Sequence, residues 1–536
     1  MRNGDVDSGR FAAIHSAQPR TLEVTASPHP GPALQWPGKR LAVEIPAPRA
    51  RLLERYTPAA AGTPSIVPPP AEGRLLLAGD NLQSLAWLLD QGLEGQVRLI
   101  YLDPPYASGR VYTSRLRLRG APPVELGEQT EYGDIWEEAD YLQFMAERLL
   151  LLRALLAENG TIWLHCDHRS QSRLHLLMEE VFGPDCYLNT IAWRSQTARG
   201  AKVHARYFPR STHYIHIFAR SSQARPVWHP PRREIVMTRA EAAARFMEDE
   251  RGFFRTSHPG SYSFERLVEL HAAGRLYAPH GGEIVVDHEQ RRVYASKGGN
   301  IGVKYYVEKR GRNRYVVTRA VDSLWDDIPG LGTIPSEDVN YPTQKTAGLL
   351  RRILTTATNP GDLVLDPFLG SGTTVAVAEE LGRRWLGCDD NWRAIRTTTL
   401  RCARTRTPYQ VVGLSGATHP GLTQATPAEA AVRIDGQEGE RRVRIVHFHS
   451  PDVAEAAASA GVPLPADWRA QVQAVLVDPS YGGEVFTPVS IDAPPGKQEL
   501  VQTDHLVSLG EDGAHQPALL LVDVKGDEHL FVVRQN

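Results

Sequence analysis

The sequence predicts an α/β protein built on a doubly wound, mostly parallel sheet, and three observations carry this prediction. Short apolar runs alternate with segments of helical periodicity over residues 71–193 and again over residues 331–408. The continuous apolar run Val97–Leu102 is typical of a strand buried on both faces. A second apolar run, Leu363–Leu365, leads through a glycine turn into a helical segment, an arrangement typical of ligand-binding α/β sheets.

The elements of the first half follow one another with clear boundaries. Asn159-Gly160 and Gly183-Pro184 supply the stop signals of two amphipathic helices. The alternation favours one doubly wound sheet over separate helical and β domains. In order, we expect strand Arg74–Ala78, helix Asn81–Asp90, strand Val97–Leu102, a helix from Asp140 to Ala157, strand Thr161–His165, helix Ser170–Phe182 and strand Tyr187–Trp193.

The same alternation returns after residue 330. In order, we expect helix Thr346–Thr358, strand Leu363–Leu365, a helix ending at Leu381, strand Trp385–Cys388 and helix Trp392–Ala403. Residues 194–330 lose this periodicity and mix arginines with aromatic side chains, which predicts an inserted domain. Residues 1–70 are rich in Pro, Gly and Ala and predict a flexible arm with at most one short helix near Arg49–Tyr56. Residues 409–536 predict a separate, acidic, mainly β domain.

Composition excludes several classes of protein. The hydrophobic fraction of 42% and the charged fraction of 23% are those of an ordinary globular chain. There is no run of about 18 apolar residues, so no membrane span is expected, and the N-terminus lacks the apolar core of a signal peptide. The four cysteines show neither paired metal spacing nor a disulfide framework, which indicates a cytoplasmic protein.

Charge is distributed unevenly, although the net charge is only −2. Residues 191–320 carry 24 Lys+Arg against 11 Asp+Glu, whereas residues 411–536 carry 8 against 17. A segment as basic as the first is typical of a surface that faces phosphates. The solvated face of a protein from an arginine-rich proteome would give the same count, so charge alone leaves both interpretations open.

Asp103-Pro104-Pro105-Tyr106, at the end of the first buried strand, offers the groups needed to act on an exocyclic amine. The lone pair of such an amine is delocalised into its ring, so a catalyst must accept hydrogen bonds from its two protons. The Asp103 carboxylate and the Pro104 carbonyl are candidate acceptors, held by the fixed φ of two prolines. Tyr106 offers a face on which an extruded base can stack. Alone, the four residues fit an ordinary proline turn equally well.

The glycine turn after Leu363–Leu365 strengthens this interpretation. Gly370-Ser371-Gly372 is followed by Thr373 at the start of a helix, so a ligand can approach backbone N–H groups. The third glycine of the dinucleotide fingerprint would fall at Val375, which disfavours NAD and FAD. Asp389, 23 residues after Asp366, is placed to accept hydrogen bonds from ribose hydroxyls. Capping of the helix that follows is the alternative role for Asp389.

Together these motifs resemble those of the DNA amino-methyltransferases, which act on adenine N6 or cytosine N4. The catalytic motif precedes the cofactor motif, as in the permuted β group that includes the modification subunits of type III restriction systems. The resemblance implies a circularly permuted, Rossmann-like S-adenosylmethionine methyltransferase sheet with an inserted target-recognition domain and a small C-terminal mainly β domain. It divides this sheet into a catalytic half at 71–193 and a cofactor-binding half at 331–408, separated by target recognition at 194–330.

The resemblance also implies roles for individual residues. Asp103, Pro104, Pro105 and Tyr106 would be catalytic. Phe368, Gly370 and Gly372 match the family's Phe-x-Gly-x-Gly loop, and Tyr132-Gly133-Asp134-Ile135-Trp136 is also similar to type III subunits. Thr346 stands where the family usually has a proline after Thr-Gln-Lys. The implied cofactor-binding residues are Asp80, Thr343, Lys345, Asp366, Phe368, Gly370, Gly372, Thr373 and Asp389.

Three other motifs receive structural interpretations. His165-Cys166-Asp167-His168 lacks the second ligand pair of a metal site, so no metal is predicted. Asp478-Pro479-Ser480-Tyr481 imitates the catalytic motif but precedes two glycines and predicts a hairpin. Asp523-Val524-Lys525 has the form of a nuclease strand, but the Gly526-Asp527 that follows favours a turn.

The sequence therefore predicts a DNA adenine-N6 methyltransferase that uses S-adenosylmethionine. Asp at the first catalytic position favours adenine, because Ser is commoner in the cytosine-N4 enzymes. Cytosine-N4 methylation and a non-catalytic DNA-binding subunit are the alternatives. The expected partners are double-stranded DNA, with a second copy of the chain and a restriction or phage-defence subunit left open. The predicted DNA-binding residues are Arg194, Arg199, Lys202, Arg310, Arg312 and Arg314.

Overall fold

The computed structural model describes residues 20–23, 32–45, 49–58, 72–196, 206–414, 417, 419, 428–437, 440–507 and 516–533. Two of the predicted DNA-binding residues, Arg199 and Lys202, lie outside this part of the chain. Tertiary contacts divide the protein into a larger unit, Met1–His229 with Ser323–Asn536, and a smaller unit, Pro230–Asp322. Within the described residues, no helix is both long and apolar enough to cross a membrane.

The first part of the larger unit alternates strands and helices. Its strands are β1 (Arg20–Glu23), β2 (Ala42–Ile45), β3 (Ala50–Tyr56), β4 (Leu75–Ala78), β5 (Val97–Leu102), β6 (Arg110–Leu118), β7 (Val124–Asp134), β8 (Leu156–Cys166), β9 (Tyr187–Arg194) and β10 (Thr212–Ala219). Its helices are α1 (Asn81–Asp90), α2 (Glu138–Leu155) and α3 (Gln171–Phe182).

The smaller unit contains short strands and two short helices. Its strands are β11 (Arg232–Met237), β12 (Met247–Asp249), β13 (Gly252–Ser257), β14 (Leu276–Tyr277), β15 (Ile284–Asp287), β16 (Arg292–Ala295), β17 (Gly302–Tyr306), β18 (Glu308–Lys309) and β19 (Tyr315–Ala320). Its helices are α4 (Arg239–Arg245) and α5 (Phe264–Ala272).

The second part of the larger unit completes the α/β pattern and adds a mainly β region. Its strands are β20 (Leu324–Trp325), β21 (Leu363–Asp366), β22 (Arg384–Asp389), β23 (Tyr409–Leu414), β24 (Glu429–Gln437), β25 (Glu440–His449), β26 (Val472–Tyr481), β27 (Ser490–Asp492), β28 (Asp504–Val507), β29 (Gln516–Asp523) and β30 (Glu528–Val532). Its helices are α6 (Ala347–Ala357), α7 (Thr373–Glu380), α8 (Trp392–Arg404) and α9 (Pro451–Ser459).

Ten strands of the larger unit form one sheet in the order β20-β9-β10-β8-β5-β21-β22-β4-β23-β3. The six central strands from β8 to β23 are parallel to one another. Strands β5 and β21 are direct neighbours, although Asp103 and Asp366 lie 263 positions apart in the chain. The two aspartates therefore follow strands that end at the same edge of the sheet, where open α/β sheets bind ligands.

The helix α2 shows why this sheet is stable. Leu149, Leu150, Leu151 and Leu152 are all at most 1% exposed, because the helix packs against α1, α3 and the sheet at once. Burying each leucine stabilises the fold by about 1.5–3 kcal/mol. The α/β class expected from the sequence is confirmed.

Three sequence-based expectations differ from the structure. Arg49–Tyr56 was expected as a short helix in an arm, but Ala50–Tyr56 is strand β3, paired with β23 at the edge of the central sheet. The compact insert covers Pro230–Asp322 rather than 194–330, because β9, β10 and β20 belong to the central sheet. The C-terminal region (residues 428–533), predicted as a separate domain, groups with the larger unit, although it has an apolar core of its own around Phe448.

The smaller unit begins and ends at adjacent positions of its own β ladder. Arg232 is paired with Ala320, and the Val321 N–H donates to the Pro231 carbonyl at 3.1 Å. Apolar side chains form two small cores around Phe253 and Val303. Between residues 230 and 322 the sequence carries 17 Lys+Arg and 12 Asp+Glu. More than half of the positive excess counted earlier therefore lies before this unit, where residues 191–229 carry 7 basic and no acidic residues.

A buried ionic cluster joins the C-terminal region to the central sheet. Arg396 of α8 binds Glu54 of β3 through Nη2 at 2.7 Å and Glu528 of β30 through Nε at 2.5 Å. His419 lies within 3.3 Å of both carboxylates. Burial alone would raise the pKa of Glu54, but Arg396 and His419 outweigh it and hold that pKa at about 2. Removing any one of these charges would leave the others buried without a partner. The three elements therefore depend on one another for their stability.

Candidate active site

Asp103 is held by two donors immediately after β5. The Tyr106 hydroxyl donates to Oδ1 at 2.6 Å, and the Lys345 ammonium donates to Oδ2 at 2.5 Å. The ammonium also lies 5.5 Å from the centre of the Tyr106 ring. The resemblance assigned Lys345 to the cofactor, but in the structure its charge faces the predicted catalytic carboxylate. The pair lies in the wall of the cavity described below.

The turn that contains Pro104 and Pro105 is fixed by a residue that sequence reasoning did not assign. The buried Asp134 carboxylate accepts the backbone N–H groups of Tyr106, Ala107 and Ser108 at 3.2, 3.0 and 2.9 Å. These bonds hold Ala107 at a φ of +51°, which a non-glycine residue rarely adopts. The signal was present in the motif Tyr132–Trp136, which resembled the family without a stated role.

The sequence predicted that the N–H groups of the glycine turn would be open to a ligand, but those of Gly370 and Gly372 are already bonded within the protein, to Asp389 and to the Leu369 carbonyl. Gly370 and Gly372 have φ values of +50° and +70°. A Cβ on Gly372 would lie 2.2 Å from Thr398 Oγ1, so α7 and α8 can approach only because this residue is glycine. The Gly370 N–H donates to Asp389 Oδ2 at 2.8 Å. The Thr373 hydroxyl donates to the Lys345 carbonyl at 3.2 Å and links this turn to the segment that holds Asp103.

Two buried carboxyl groups at this turn have raised pKa values. Burial raises the pKa of Asp366 to about 8 and that of Asp389 to about 7. At neutral pH, Asp366 is therefore mainly protonated and Asp389 is half ionised. The site can adjust its charge to a bound cation by releasing protons, because a nearby positive charge favours the ionised carboxylate.

Asp80 is tied to the glycine turn through its neighbours. Its carboxylate caps α1, accepting the Leu82 N–H at 2.8 Å, and pairs with Arg148 at 2.9 Å. Asn81 accepts from Arg148 and donates to the Pro367 carbonyl at 3.0 Å. The resemblance assigned Asp80 to the adenine of the cofactor. The structure adds a capping role, and Arg148 is a residue that sequence reasoning missed.

A cavity of about 250 Å³ brings the two predicted motifs together. Aromatic rings of Trp136, Phe144, Phe368 and Tyr341 form part of its wall. Its polar groups and flat aromatic faces fit a nucleoside-containing ligand with a charged amino-acid part. Gly372 supports the turn without lining the cavity. The predicted site residues that line the cavity are Asp80, Asp103, Pro104, Pro105, Tyr106, Thr343, Lys345, Asp366, Phe368, Gly370, Thr373 and Asp389.

A second cavity, of about 440 Å³, adjoins the first and shares Tyr106 and Lys345 with it. Trp193 and His213 contribute aromatic surface, and Arg110 and Arg210 contribute positive charge, whereas Arg169 is paired with Asp167 in the same wall. The first cavity contains the glycine turn and Asp103, whereas the second offers rings and cations beside Tyr106 and Lys345. Both of these side chains donate to Asp103, so the two cavities adjoin at the partners of this carboxylate.

Of the motif His165–His168, His165 forms a hydrogen-bonded pair with His213 next to this site. The Tyr101 hydroxyl lies 2.8 Å from His165 Nδ1, and His165 Nε2 lies 3.0 Å from His213 Nδ1. Burial lowers the pKa of His213 to about 4, so the ring is neutral at pH 7. In the described part of the chain, no three His, Cys, Asp or Glu side chains converge as a metal site.

The predicted DNA-binding arginines differ in how free their charges are. Arg194 pairs with Asp326 at 3.1 Å. Arg310 is bound by both Glu234 and Glu308 at 2.7 Å, so its charge is largely compensated. Arg312 and Arg314 are exposed at the turn before β19.

The nuclease-like motif is a structural cap. Asp523 accepts the N–H groups of Lys525 and Asp527 at 2.9 and 3.1 Å, and it also accepts the Ser450 hydroxyl at 2.7 Å. Its carboxylate is thus occupied by the β29–β30 turn, as the turn interpretation predicted.

The fold and the meeting of the two motifs define a methyltransferase class, and comparison with known proteins agrees. A family model described as DNA methylase (N6/N4) matches residues 97–400, which is more than half of the chain. The chain belongs to this family of DNA methylases. Members of the family use S-adenosylmethionine as their methyl donor.

Individual relatives are more distant. The chain is 28% identical over 347 residues to the type II methyltransferase M.EcaI of Enterobacter cloacae, a match that covers 61% of this chain and 69% of that protein. It is 24% identical over 387 residues to the probable type III HindVI Mod subunit of Haemophilus influenzae, over 60% of this chain and 49% of that subunit. The match thus spans about half the length of the Mod subunit. The expected resemblance to such subunits is confirmed.

Among solved structures, the chain matches TTHA0409 of Thermus thermophilus, a putative DNA modification methylase complexed with S-adenosyl-L-methionine. The identity is 17% and the TM-score 0.33, over 65% of this chain and all of that one.

Proposed function

We propose that this chain transfers a methyl group from S-adenosylmethionine to N6 of adenine in duplex DNA at a defined sequence. The observation that carries the proposal is the meeting of Asp103 and the Gly370 turn at one cavity, from strands that are adjacent in the sheet and distant in the chain. This arrangement supports the proposal, because an amine held at Asp103 and a donor held at the Gly370 turn would lie beside each other.

In this mechanism, the Asp103 carboxylate accepts a hydrogen bond from an N–H group of the target amine. This bond draws the target nitrogen toward tetrahedral geometry. A carboxylate offers about four lone-pair positions, of which Tyr106 and Lys345 use two. The Pro104 carbonyl is the second acceptor, and among the described residues no donor occupies it. Lys345 compensates the carboxylate charge, and its bond to Asp103 orients the acceptor before the base arrives.

The cofactor residues divide by the part of the ligand that they suit. Asp389 would accept hydrogen bonds from ribose hydroxyls, and Phe368 with its aromatic neighbours would face the adenine ring. Thr343 and Lys345 would hold the methionine part. When bound, S-adenosylmethionine supplies the electrophilic methyl group. The buried Asp366 accepts the Phe368 N–H at 3.1 Å and would shape the wall of the cofactor cavity.

The second cavity would receive the target base. A base must leave the duplex to reach Asp103, which costs a few kcal/mol. Tyr106, Trp193 and His213 offer rings that can stack on it, and Arg110 and Arg210 offer charges for the flanking phosphates. Asp at the first catalytic position favours adenine over cytosine as the base.

The smaller unit is proposed as the target-recognition domain, and the larger unit as the methyltransferase. Exposed Arg312 and Arg314 are better candidates for DNA contact than Arg310, whose charge is already paired. The names of the relatives support a role in a restriction-modification system.

The proposal is tested by the product. Purified protein is incubated with unmethylated plasmid DNA and labelled S-adenosylmethionine, and the DNA is digested to nucleosides and separated. Label in N6-methyldeoxyadenosine is expected. Label in N4-methyldeoxycytidine would show that the target is cytosine N4, the alternative, and not adenine N6. DNA without label, from protein that still binds S-adenosylhomocysteine, would favour a non-catalytic binding subunit.

A further inference from the structure

Although none of its described residues lines either cavity, the C-terminal region holds the tip of the β6–β7 hairpin. The Arg119 guanidinium donates to the carbonyls of Glu499, Pro494 and Gly496 at 2.9, 2.8 and 2.5 Å. The backbone N–H of Arg119 donates to the Ala470 carbonyl at 2.8 Å. One half-buried arginine thus ties the hairpin to three neighbouring carbonyls in a single loop.

The body of the hairpin is packed against the same region. Its inward leucines form a small core with α9 and the segment before β26, and Gln129 donates to the Lys525 carbonyl at 3.1 Å. The core residues are Leu116, Leu118, Leu126, Val453, Ala457 and Ala470. Contacts therefore run from the tip to the middle of β7, which leaves the hairpin little freedom to tilt.

The other end of the hairpin carries groups of the active site. Asp134 fixes the turn after Pro105, as described above. Tyr112 and Tyr132 stack at 5.0 Å between centroids and line the first cavity, and the Tyr132 hydroxyl lies 3.0 Å from the Thr343 hydroxyl. Glu131 binds Arg393 of α8, close to the proposed ribose acceptor Asp389. The hairpin thus touches both proposed ligand sites at one end and the C-terminal region at the other.

We propose that the C-terminal region positions the methyl-transfer site through the β6–β7 hairpin, with Arg119 as the principal positioning residue. A rigid hairpin transmits the position of its tip to Asp134 and Tyr132 because its two strands are paired along their whole length. The inference rests on the proposed function for what the site binds, and it gives the acidic region a task that needs no contact with DNA.

The test compares Arg119→Ala with the wild-type protein by hydrogen exchange and by calorimetric titration with S-adenosylhomocysteine. Exchange of the backbone amides in the segment 104–112, which begin at Tyr106 after the two prolines, is expected to rise, because the bonds to Asp134 open more often. Affinity for S-adenosylhomocysteine is expected to fall about tenfold, the size expected when a few hydrogen bonds are lost. Arg119→Lys should recover part of both effects, since an ammonium can still donate to the carbonyls.

Arg444→Ala is the matched control, because it removes an exposed ion pair of the same region that does not touch the hairpin. It should change neither measurement. An increase in exchange confined to residues 117–124, with unchanged affinity, would overturn the inference. If Arg119→Ala does not fold, Gln129→Ala tests the same hairpin at its middle. Failure of the wild-type protein to bind S-adenosylhomocysteine would instead refute the proposed function, while exchange over 104–112 still decides the positioning role.

Discussion

Asp103 occupies a position where two neighbours already orient its carboxylate: Lys345 donates to one oxygen and Tyr106 to the other. In the proposed reaction, this preorganisation would let the carboxylate act on an amine without first being rearranged by the substrate. The same lysine is connected, through the Thr373 hydroxyl, to the glycine turn. Changes at Asp103 and at the turn should therefore separate chemistry from cofactor binding.

Replacing Asp103 by Asn should lower the single-turnover rate of methyl transfer by about 10²–10³, the usual cost of losing one preorganised group. Affinity for S-adenosylhomocysteine should stay near that of the wild-type protein, because the glycine turn is unchanged. Rapid quench with labelled donor measures the rate, and calorimetry the affinity. Asn is preferred to Ala because it keeps the volume and leaves no gap beside Lys345. A complete loss of binding would show that Asp103 serves the cofactor instead.

Asp389 should make cofactor binding depend on pH. With a pKa of about 7, its carboxyl group is mainly protonated at pH 6 and mainly ionised at pH 8. Since the ionised form is the better acceptor for ribose hydroxyls, affinity for S-adenosylhomocysteine should rise about tenfold over this range. Asp389→Asn should remove the rise, whereas Asp366→Asn should leave a rise centred near pH 7. An affinity that falls with pH in the wild-type protein would contradict the assignment.

At the scale of elements, the start of α7 depends on a single glycine. Gly372 combines a φ of +70° with a close approach to Thr398 of α8. Gly382 has nearly the same φ, +69°, but a Cβ added to it would meet no neighbouring atom within 4 Å. The two positions therefore separate backbone strain from steric conflict.

Gly372→Ala should lower the free energy of unfolding by clearly more than Gly382→Ala. The second substitution costs about 1–2 kcal/mol for the left-handed conformation alone. The first adds an overlap that must move α7 or α8, at a further cost of about 1–3 kcal/mol. Urea denaturation followed by circular dichroism measures both. Equal losses would mean that the two helices separate without cost at Thr398.

At the scale of the whole molecule, the smaller unit has the features of a segment that can be excised without disturbing the rest of the chain. Its first and last strands pair at Arg232 and Ala320, so the chain leaves the larger unit and returns at neighbouring points of one ladder. Its cores are its own. Such units fold as separate bodies.

Excision of residues 231–321, with a short Gly-Ser link in their place, should leave S-adenosylhomocysteine binding intact and abolish sequence-specific DNA binding. Calorimetry and gel-shift assays with specific and non-specific duplexes measure the two properties. If the protein that lacks residues 231–321 still methylated the same DNA sequence, target recognition would have to be assigned to the basic residues 191–229 of the larger unit.

The C-terminal region and the N-terminal strand β3 are held to the sheet by Arg396. Arg396→Ala leaves Glu54 and Glu528 buried without their cation and should cost about 3–5 kcal/mol of folding stability. The exposed Arg444→Ala should leave the unfolding midpoint unchanged. Because the two regions would loosen together, limited proteolysis of the variant should release both. A midpoint equal to that of the wild-type protein would show that the cluster does not join them.

The sequence by itself determined the sheet class, the two motifs and their order, because strand ends with prolines, glycines and aspartates have few backbone solutions. Val97–Leu102 and Leu363–Leu365 were predicted as buried strands, and the structure forms β5 and β21 there. If the amine and the methyl donor share one site, the ends of these two strands must lie side by side, and this too followed from the sequence. Helical and strand periodicity is a local property, so it can be detected without knowledge of the fold.

Only the tertiary structure decided what surrounds those motifs. Asp134, Arg148 and Arg119 act on residues far from them in the chain, and no local pattern records such pairings. Ala50–Tyr56 is a strand because β23 offers it an edge, not because its own residues demand it. The predicted bounds of the insert were too wide for the same reason. Strand β10 joins the central sheet through partners on β8 and β9, because long-range hydrogen bonding overrides local composition.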